Sequence, residues 1–282
     1  MRINTNISSL GAQEASINTN NSIKNSLEKL STGLKINKAS DDASGLAIAD
    51  KLRTQVTSIN QGVSNGNSAI ALLQIADKSM AEQSKILDTV KAKLIQANTD
   101  TTSADGRNAI AKDVSKLLAQ LNNIATQTNY NGTNLLQASR ASNASQSPLN
   151  FQIGENKGDT ISTKGIRANT VGFSLTALSG AAGGATFTKA QATAGQTAVD
   201  KAITTLNGYR GDIGSTQNQV ESAVRNLMTQ STNIKAAESV IRDVDYAEES
   251  ANFNKLNIIS QAGSYAISQS NATQQNVLRL LQ

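Results

Sequence analysis

Two acidic clusters carry the residue types and spacing that first suggest chemistry. One is Asp41-Asp42, the other Arg242-Asp243-Val244-Asp245. Paired carboxylates can share a proton for acid–base work or hold a divalent cation. Neither cluster has the company such chemistry needs. The chain contains no His and no Cys. That removes Ser–His–Asp triads, thiolate nucleophiles, disulfides, iron–sulfur clusters and zinc sites built on those ligands. Asp243 and Asp245 stand two apart, so on a helix they face different ways. Capping and ion pairing fit better. Ser40 or Asp41 can cap one helix, Ser239 or Asp243 can serve a hinge into another, and Arg242 or Lys38 can pair the acids. No catalytic, cofactor-binding or metal-ligating residue is assigned, and no cofactor is expected.

The elements that carry these clusters belong to a chain of 282 residues, 17% charged and 3% aromatic, with a formal charge of +5. That excess is small and scattered, as at Lys24, Lys29, Lys35 and Lys38. A nucleic-acid surface needs a basic stripe, often with aromatic platforms, so no nucleic acid is expected. Runs such as Ala69–Leu73 fall well short of a membrane span, so no membrane insertion is expected. The N-terminus shows no apolar stretch of the kind a cleaved secretory leader has.

A single proline, Pro148, leaves long stretches free for helix. Apolar residues at Ile3, Ile7, Leu10 and Ile17, then Ile23, Leu27, Leu30 and Leu34, predict a first helix with one slip of phase near Asn20-Asn21. Helices are predicted over 45–98, 105–127 and 190–236. The stripe Phe253, Leu256, Ile259, Gly263, Ala266, Ser270, Thr273, Val277, Leu280 predicts a last helix of heptad character. The stretch 137–188 is rich in Gly, Ser, Ala and Thr and predicts β-hairpins and loops. Asn131-Gly132 and Lys157-Gly158-Asp159 are turn signals. The fold class is mainly α: antiparallel coiled-coil arms and a helical rod, with small β-hairpins mid-chain.

The two terminal stripes are thin, broken by Glu14, Asn21, Gly263, Ser270 and Thr273. Arms with so little apolar seam bury too little to offset the entropy of ordering them. They make sense where other subunits supply the missing burial.

Long motifs at both ends carry a family resemblance. The run Leu30-Ser31-Thr32-Gly33-Leu34-Lys35-Ile36-Asn37-Lys38-Ala39-Ser40-Asp41-Asp42-Ala43-Ser44-Gly45-Leu46-Ala47 closely resembles the N-terminal signature of bacterial flagellin. Ile3-Asn4-Thr5-Asn6, Gln127-Thr128-Asn129-Tyr130-Asn131-Gly132, Phe151-Gln152-Ile153-Gly154, Ile241-Arg242-Asp243-Val244-Asp245-Tyr246 and Val277-Leu278-Arg279-Leu280-Leu281 are similar to that family too. Motifs this long, in order along nearly the whole chain, are specific.

The resemblance implies an inner coiled-coil domain from 1–44 plus 240–282, and a rod from 45–239. It lacks the outer insertions of large flagellins. It implies a structural subunit that self-assembles into the flagellar filament for motility, with no catalysis. A hook–filament junction protein of the same family, or a non-flagellar coiled-coil adaptor, stays open as an alternative. Filament-core assembly is expected to use Ile3, Ile7, Leu10, Leu27, Leu30, Leu256, Ile259, Val277 and Leu280. Asp41, Asp42, Arg242, Asp243 and Asp245 are expected at the domain junction. The implied partners are many copies of the same chain, a flagellar export chaperone, and cap and hook-junction proteins. O-glycans on Ser and Thr of 140–190, Ser142 among them, are a further option. The implied place is the extracellular filament, reached by type III export without a cleaved leader. Thr89, Ala92 and Lys93 stand where many flagellins carry the Arg, Glu and Leu read by the flagellin-sensing Toll-like receptor. The stretch is closer to Campylobacter–Helicobacter flagellins, so an altered epitope and weak receptor activation are expected.

Overall fold

The computed structural model describes residues 5–139 and 143–280; Ile3 and Ser142 lie outside them. The element order is α1 (Ile7–Thr32), α2 (Ala43–Asn98), α3 (Ala104–Gln127), β1 (Asn129–Tyr130), β2 (Thr133–Asn134), β3 (Asn150–Gln152), β4 (Thr160–Ser162), α4 (Thr176–Ala182), α5 (Lys189–Arg242) and α6 (Tyr246–Leu280). The described chain is mainly α, with two antiparallel two-stranded sheets, β1–β2 and β3–β4. It divides into two compact units, Thr57–Ser231 and Met1–Val56 with Thr232–Gln282.

The unit of 57–231 holds the large core. On α2 the buried residues Leu73, Ala76, Met80, Gln83, Leu87, Val90, Leu94 and Ala97 recur at alternating steps of three and four. They pack with Val114, Leu118 and Leu121 of α3 and with Val199, Leu206 and Ile213 of α5. Both helices run antiparallel to α2. The Gln83 amide donates to the Leu121 carbonyl at 3.1 Å, and the Gln196 amide donates to the Leu94 carbonyl at 3.1 Å. Helix α3 starts where the Ser103 hydroxyl accepts from the Gly106 N–H at 3.1 Å.

The middle of the chain covers this core. The pair β1–β2 lies ahead of 137–188, around Asn131-Gly132. Helix α4 forms inside the stretch read as loop. Its Leu178 and Ala182, four apart, are both buried, and that burial overrides the weak helix preference of its glycine. The pair β3–β4 lies on α2: the Asn65 amide donates to the Gln152 carbonyl at 3.0 Å.

The other unit contains α1 and α6, the start of α2 and the end of α5. Helix α1 is capped by Asn6, whose side chain accepts from the Ser9 N–H. It ends at Gly33, where φ is +73°, a left-handed cap that a Cβ disfavours. The connections after α1 and α5 are tied by a short antiparallel bridge at Leu34 and Asp243. There the Lys35 N–H donates to the Arg242 carbonyl at 2.7 Å, and the Val244 N–H donates to the Gly33 carbonyl at 3.0 Å.

Candidate assembly surface

Helices α1 and α6 pair antiparallel. The Asn6 amide donates to Ser270 Oγ at 3.2 Å, and the Ser26 hydroxyl donates to the Glu249 carboxylate toward the other end. Along α1 the half-buried or buried positions include Ser9, Ala12, Ser16, Thr19, Ile23, Ser26 and Leu30, which alternate by three and four; Glu28 and Lys29 in the last turn are half-buried as well. On α6 the matching positions are Glu249, Phe253, Leu256, Ser260, Gly263, Ile267 and Ser270. The seam is therefore built largely from small and polar side chains.

The large apolar residues lie elsewhere. Ile7, Leu10 and Ile17 are 67%, 55% and 55% exposed. Leu27, beside the seam, is 53% exposed. On α6, Ile258, Ile259 and Tyr265 are exposed, and Ile258 and Tyr265 stand seven apart on one face. The phase slip expected near Asn20-Asn21 is thus not a stutter in helix packing. The seam keeps its register, and the apolar residues change face, from outward at Ile7, Leu10 and Ile17 to inward at Ile23 and Leu30. On α6, Ile259 and Ala266, expected in the stripe, are exposed, and Ser260 and Ile267 take the seam instead. Val277 and Leu280 belong to the last turns of α6; their side chains are outside the described part.

The acidic clusters brace backbone. Asp41 Oδ2 accepts from the N–H groups of Asn37 and Lys38, each at 3.0 Å. Those bonds, the Lys38 one foremost, hold its carboxyl below the usual value. The cap of α2 is Asp42, whose Oδ1 accepts from the Gly45 N–H at 2.9 Å, not Ser40 or Asp41. The cap of α6 is Asp245, accepting from the N–H groups of Ala247 at 2.9 Å and Glu248 at 3.2 Å. Asp243 instead receives the Ser239 hydroxyl at 2.6 Å. Arg242 reaches Asp50 at 3.8 Å, and Lys38 pairs with Glu28 at 2.6 Å. Among the described residues no group of three or more His, Cys, Asp or Glu is placed to hold a metal ion. No helix there is long and apolar enough to cross a membrane.

Thr89, Ala92 and Lys93 lie on α2. Thr89 donates to the Lys85 carbonyl at 2.9 Å, Ala92 is exposed, and Lys93 pairs with Asp113 at 3.1 Å.

An arm with a polar seam and outward apolar residues is characteristic of a chain completed by neighbours, and the comparisons agree. Residues 3–141 match the bacterial flagellin N-terminal helical region, and residues 196–281 match the bacterial flagellin C-terminal helical region. The flagellin of Bacillus subtilis (strain 168) is 36% identical over 304 residues, covering all of both chains. This chain belongs to the bacterial flagellin family. The flagellar filament 33 kDa core protein of Treponema phagedenis is 33% identical, again over the full length of both. Flagellin B of Helicobacter pylori is 27% identical over 511 residues, across all of this chain and 99% of its own. The crystal structure of Bacillus cereus flagellin superposes with a TM-score of 0.50 at 26% identity, covering 62% of this chain and 94% of that one. As a flagellin the chain is a structural filament subunit of the flagellum.

The family motifs could be read from the sequence; the seam residues Ser9, Ser16, Thr19 and Ser26 could not. Their signal was present as small residues at alternating steps of three and four. An apolar stripe is a stronger pattern, and along the first half of α1, at Ile7, Leu10 and Ile17, it led to the other face.

Proposed function

We propose that this subunit polymerises with many copies of itself through the outward apolar residues of the α1/α6 unit. Ile7, Leu10, Leu27 and Ile259 are the exposed contacts, with Ile17, Ile258 and Tyr265 added to the residues expected from the sequence. Leu30 and Leu256 serve within the seam. Ile3, Val277 and Leu280 are assigned by motif alone. The observation that carries this reading is the 67% exposure of Ile7 beside a seam of serines. Contiguous exposed apolar surface marks an interaction site. A surface whose complement lies elsewhere on an identical copy yields open filaments. The test is electron microscopy of salt-induced assembly by the full chain and by the triple variant Ile7→Ser, Leu10→Ser, Ile17→Ser. The wild type forms long tubes of uniform width. The variant remains monomeric with the heat-unfolding transition of the 57–231 unit unchanged. Normal tubes from the variant would sink the assignment.

The domain-junction role of Asp41, Asp42, Arg242, Asp243 and Asp245 rests on their backbone and ion-pair bonds within one unit. No catalytic step is assigned to any of them. Export through the flagellar type III route without leader cleavage, and service by an export chaperone and cap and junction proteins, belong to the same proposal. N-terminal sequencing of filament protein would then return Met1 or the residue after it. Thr89, Ala92 and Lys93 form an altered receptor epitope. A reporter-cell response equal to that of a receptor-active flagellin would refute this. Intact mass of native protein tests for O-glycans.

A further inference from the structure

We propose that Asn131 is a site of spontaneous amide loss, a modification driven by the chain's own backbone with water as co-reactant. The proposal stands apart from polymerisation. The chain has three Asn-Gly pairs, Asn65-Gly66, Asn131-Gly132 and Asn207-Gly208. Such pairs are open to attack by the glycine nitrogen on the asparagine side-chain carbonyl, because glycine has no side chain to obstruct it.

Two of the pairs are held against this reaction. Asn65 lies inside α2 and Asn207 inside α5. There each glycine N–H is bonded into the helical ladder, and helical ψ turns that nitrogen away from Cγ. Asn65 is fixed further: its amide donates to the Gln152 carbonyl at 3.0 Å, and its Oδ1 accepts from Gln61 at 2.9 Å.

Asn131 is different on each count. It is exposed, at the first position of the two-residue turn closing the Tyr130–Thr133 pair. Its φ is +49° and that of Gly132 is +82°, the signature of a type I′ turn. No hydrogen bond holds its amide or the Gly132 N–H among the described residues. A Cβ placed on Gly132 would meet nothing within 4 Å, so the turn has open space around it. Attack requires only that the peptide between the two residues flip. The flip converts type I′ to type II′, which keeps φ positive at Asn131 and reverses it at residue 132. Glycine tolerates both signs, so the flanking strands stay paired.

The chemistry balances with water alone. The deprotonated Gly132 nitrogen bonds to Asn131 Cγ, and the Cγ–nitrogen bond breaks to release ammonia. The resulting cyclic imide then takes up water at either carbonyl. The net change is amide plus water to carboxylate plus ammonium. One product keeps the normal backbone. The other routes the main chain through the β-carbon, adding a methylene to a turn whose length sets the β1–β2 register.

The experiment incubates the full-length monomer in mildly alkaline buffer at physiological temperature. Peptide mapping by mass spectrometry, with fragmentation that separates the two products, follows all three sites. Asn131 is expected to react about tenfold faster or more than Asn65 and Asn207, which local opening of their helices must first expose. In urea the three rates should converge. Equal rates in the folded chain, or Asn131 slowest, overturn the proposal. Gly132→Ala should suppress the reaction, and a variant reacting as fast as wild type would rule out the stated attack. Because φ at 132 is strained for alanine, Asn131→Asp serves as the folding control: it keeps the turn and abolishes ammonia release and its mass shift at that site, while slower cyclisation with loss of water can still yield the β-linked product.

Discussion

The Ser26 hydroxyl, in a side chain 2% exposed, donates to the carboxylate of Glu249 across the α1–α6 seam. A buried hydroxyl bonded to a charged acceptor contributes about 1.5–3 kcal/mol. In a seam with few large apolar contacts, that is a large share of what pairs the helices. Ser26→Ala should therefore loosen the arm. Amide hydrogen exchange across 20–30 should speed up in the variant, with exchange in 57–231 unchanged. Unchanged protection in α1 would show that the bond does little for the pairing.

Gly62 and Gly208 should respond in opposite directions to the same substitution. A Cβ on Gly62 would collide with the Ile153 carbonyl oxygen, whereas a Cβ on Gly208 meets nothing within 4 Å. Gly62→Ala forces β3–β4 off α2 and should cost about 1–3 kcal/mol. Gly208→Ala should stabilise the α5 interior by about 0.5–1 kcal/mol. Urea midpoints of the two variants against wild type check both signs. A stable Gly62→Ala would mean that the hairpin does not sit close on the helix.

Gln83 is fully buried and donates to two carbonyls, Leu121 at 3.1 Å and Ala168 at 2.8 Å. It thus ties α2 to α3 and to the covering segment. Among the described residues its Oε1 has no partner. Gln83→Met keeps the length and removes both donors. The expected loss is about 1–3 kcal/mol, read as a lower urea midpoint with an unchanged slope. A neutral substitution would show that the two bonds only offset the unpartnered oxygen.

Acid should weaken the chain through Asp100 in a defined direction. The hydrogen bond from Lys189, with its charge, holds the Asp100 carboxyl below the usual value. A carboxyl with a depressed folded pKa adds stability above its unfolded pKa. That contribution fades as pH falls through the folded value. The pair is exposed, so the effect is small. Wild type should exceed Asp100→Asn in urea midpoint at neutral pH, and the gap should close in acid. A gap that widens on acidification has the wrong sign.

Where apolar residues and burial coincide, the fold was legible. Leu73, Met80, Leu87, Val90 and Leu94 mark the core face of α2 and are all buried. Helix α4 was hidden because Leu178 and Ala182 are its few apolar anchors in a run of small residues. The caps fell one or two residues from where they were expected. Asp41 and Asp42 are chemically alike, and only the backbone decides which N–H each meets. The arms were hardest. A helix that leaves Ile7, Leu10 and Ile17 exposed and turns Ser9, Ser16 and Thr19 to its own partner inverts the rule by which one chain's core is read.

That inversion makes a last prediction. Ser16 of α1 is half-buried in the seam, and Ile17 beside it is 55% exposed. Ser16→Leu adds apolar area where α1 meets α6, so it should raise the helix content and thermal stability of the arm in the isolated monomer. Each fully buried leucine is worth about 1.5–3 kcal/mol against exposure. Ile17→Ser should leave monomer helix content unchanged and raise the subunit concentration needed for assembly. Circular dichroism of the monomer and sedimentation of the polymer separate the two. If Ile17→Ser melts the monomeric arm while Ser16→Leu leaves it unchanged, the faces are the other way round. If both substitutions act on the same observable, the two faces do not divide the work between the monomer and the polymer.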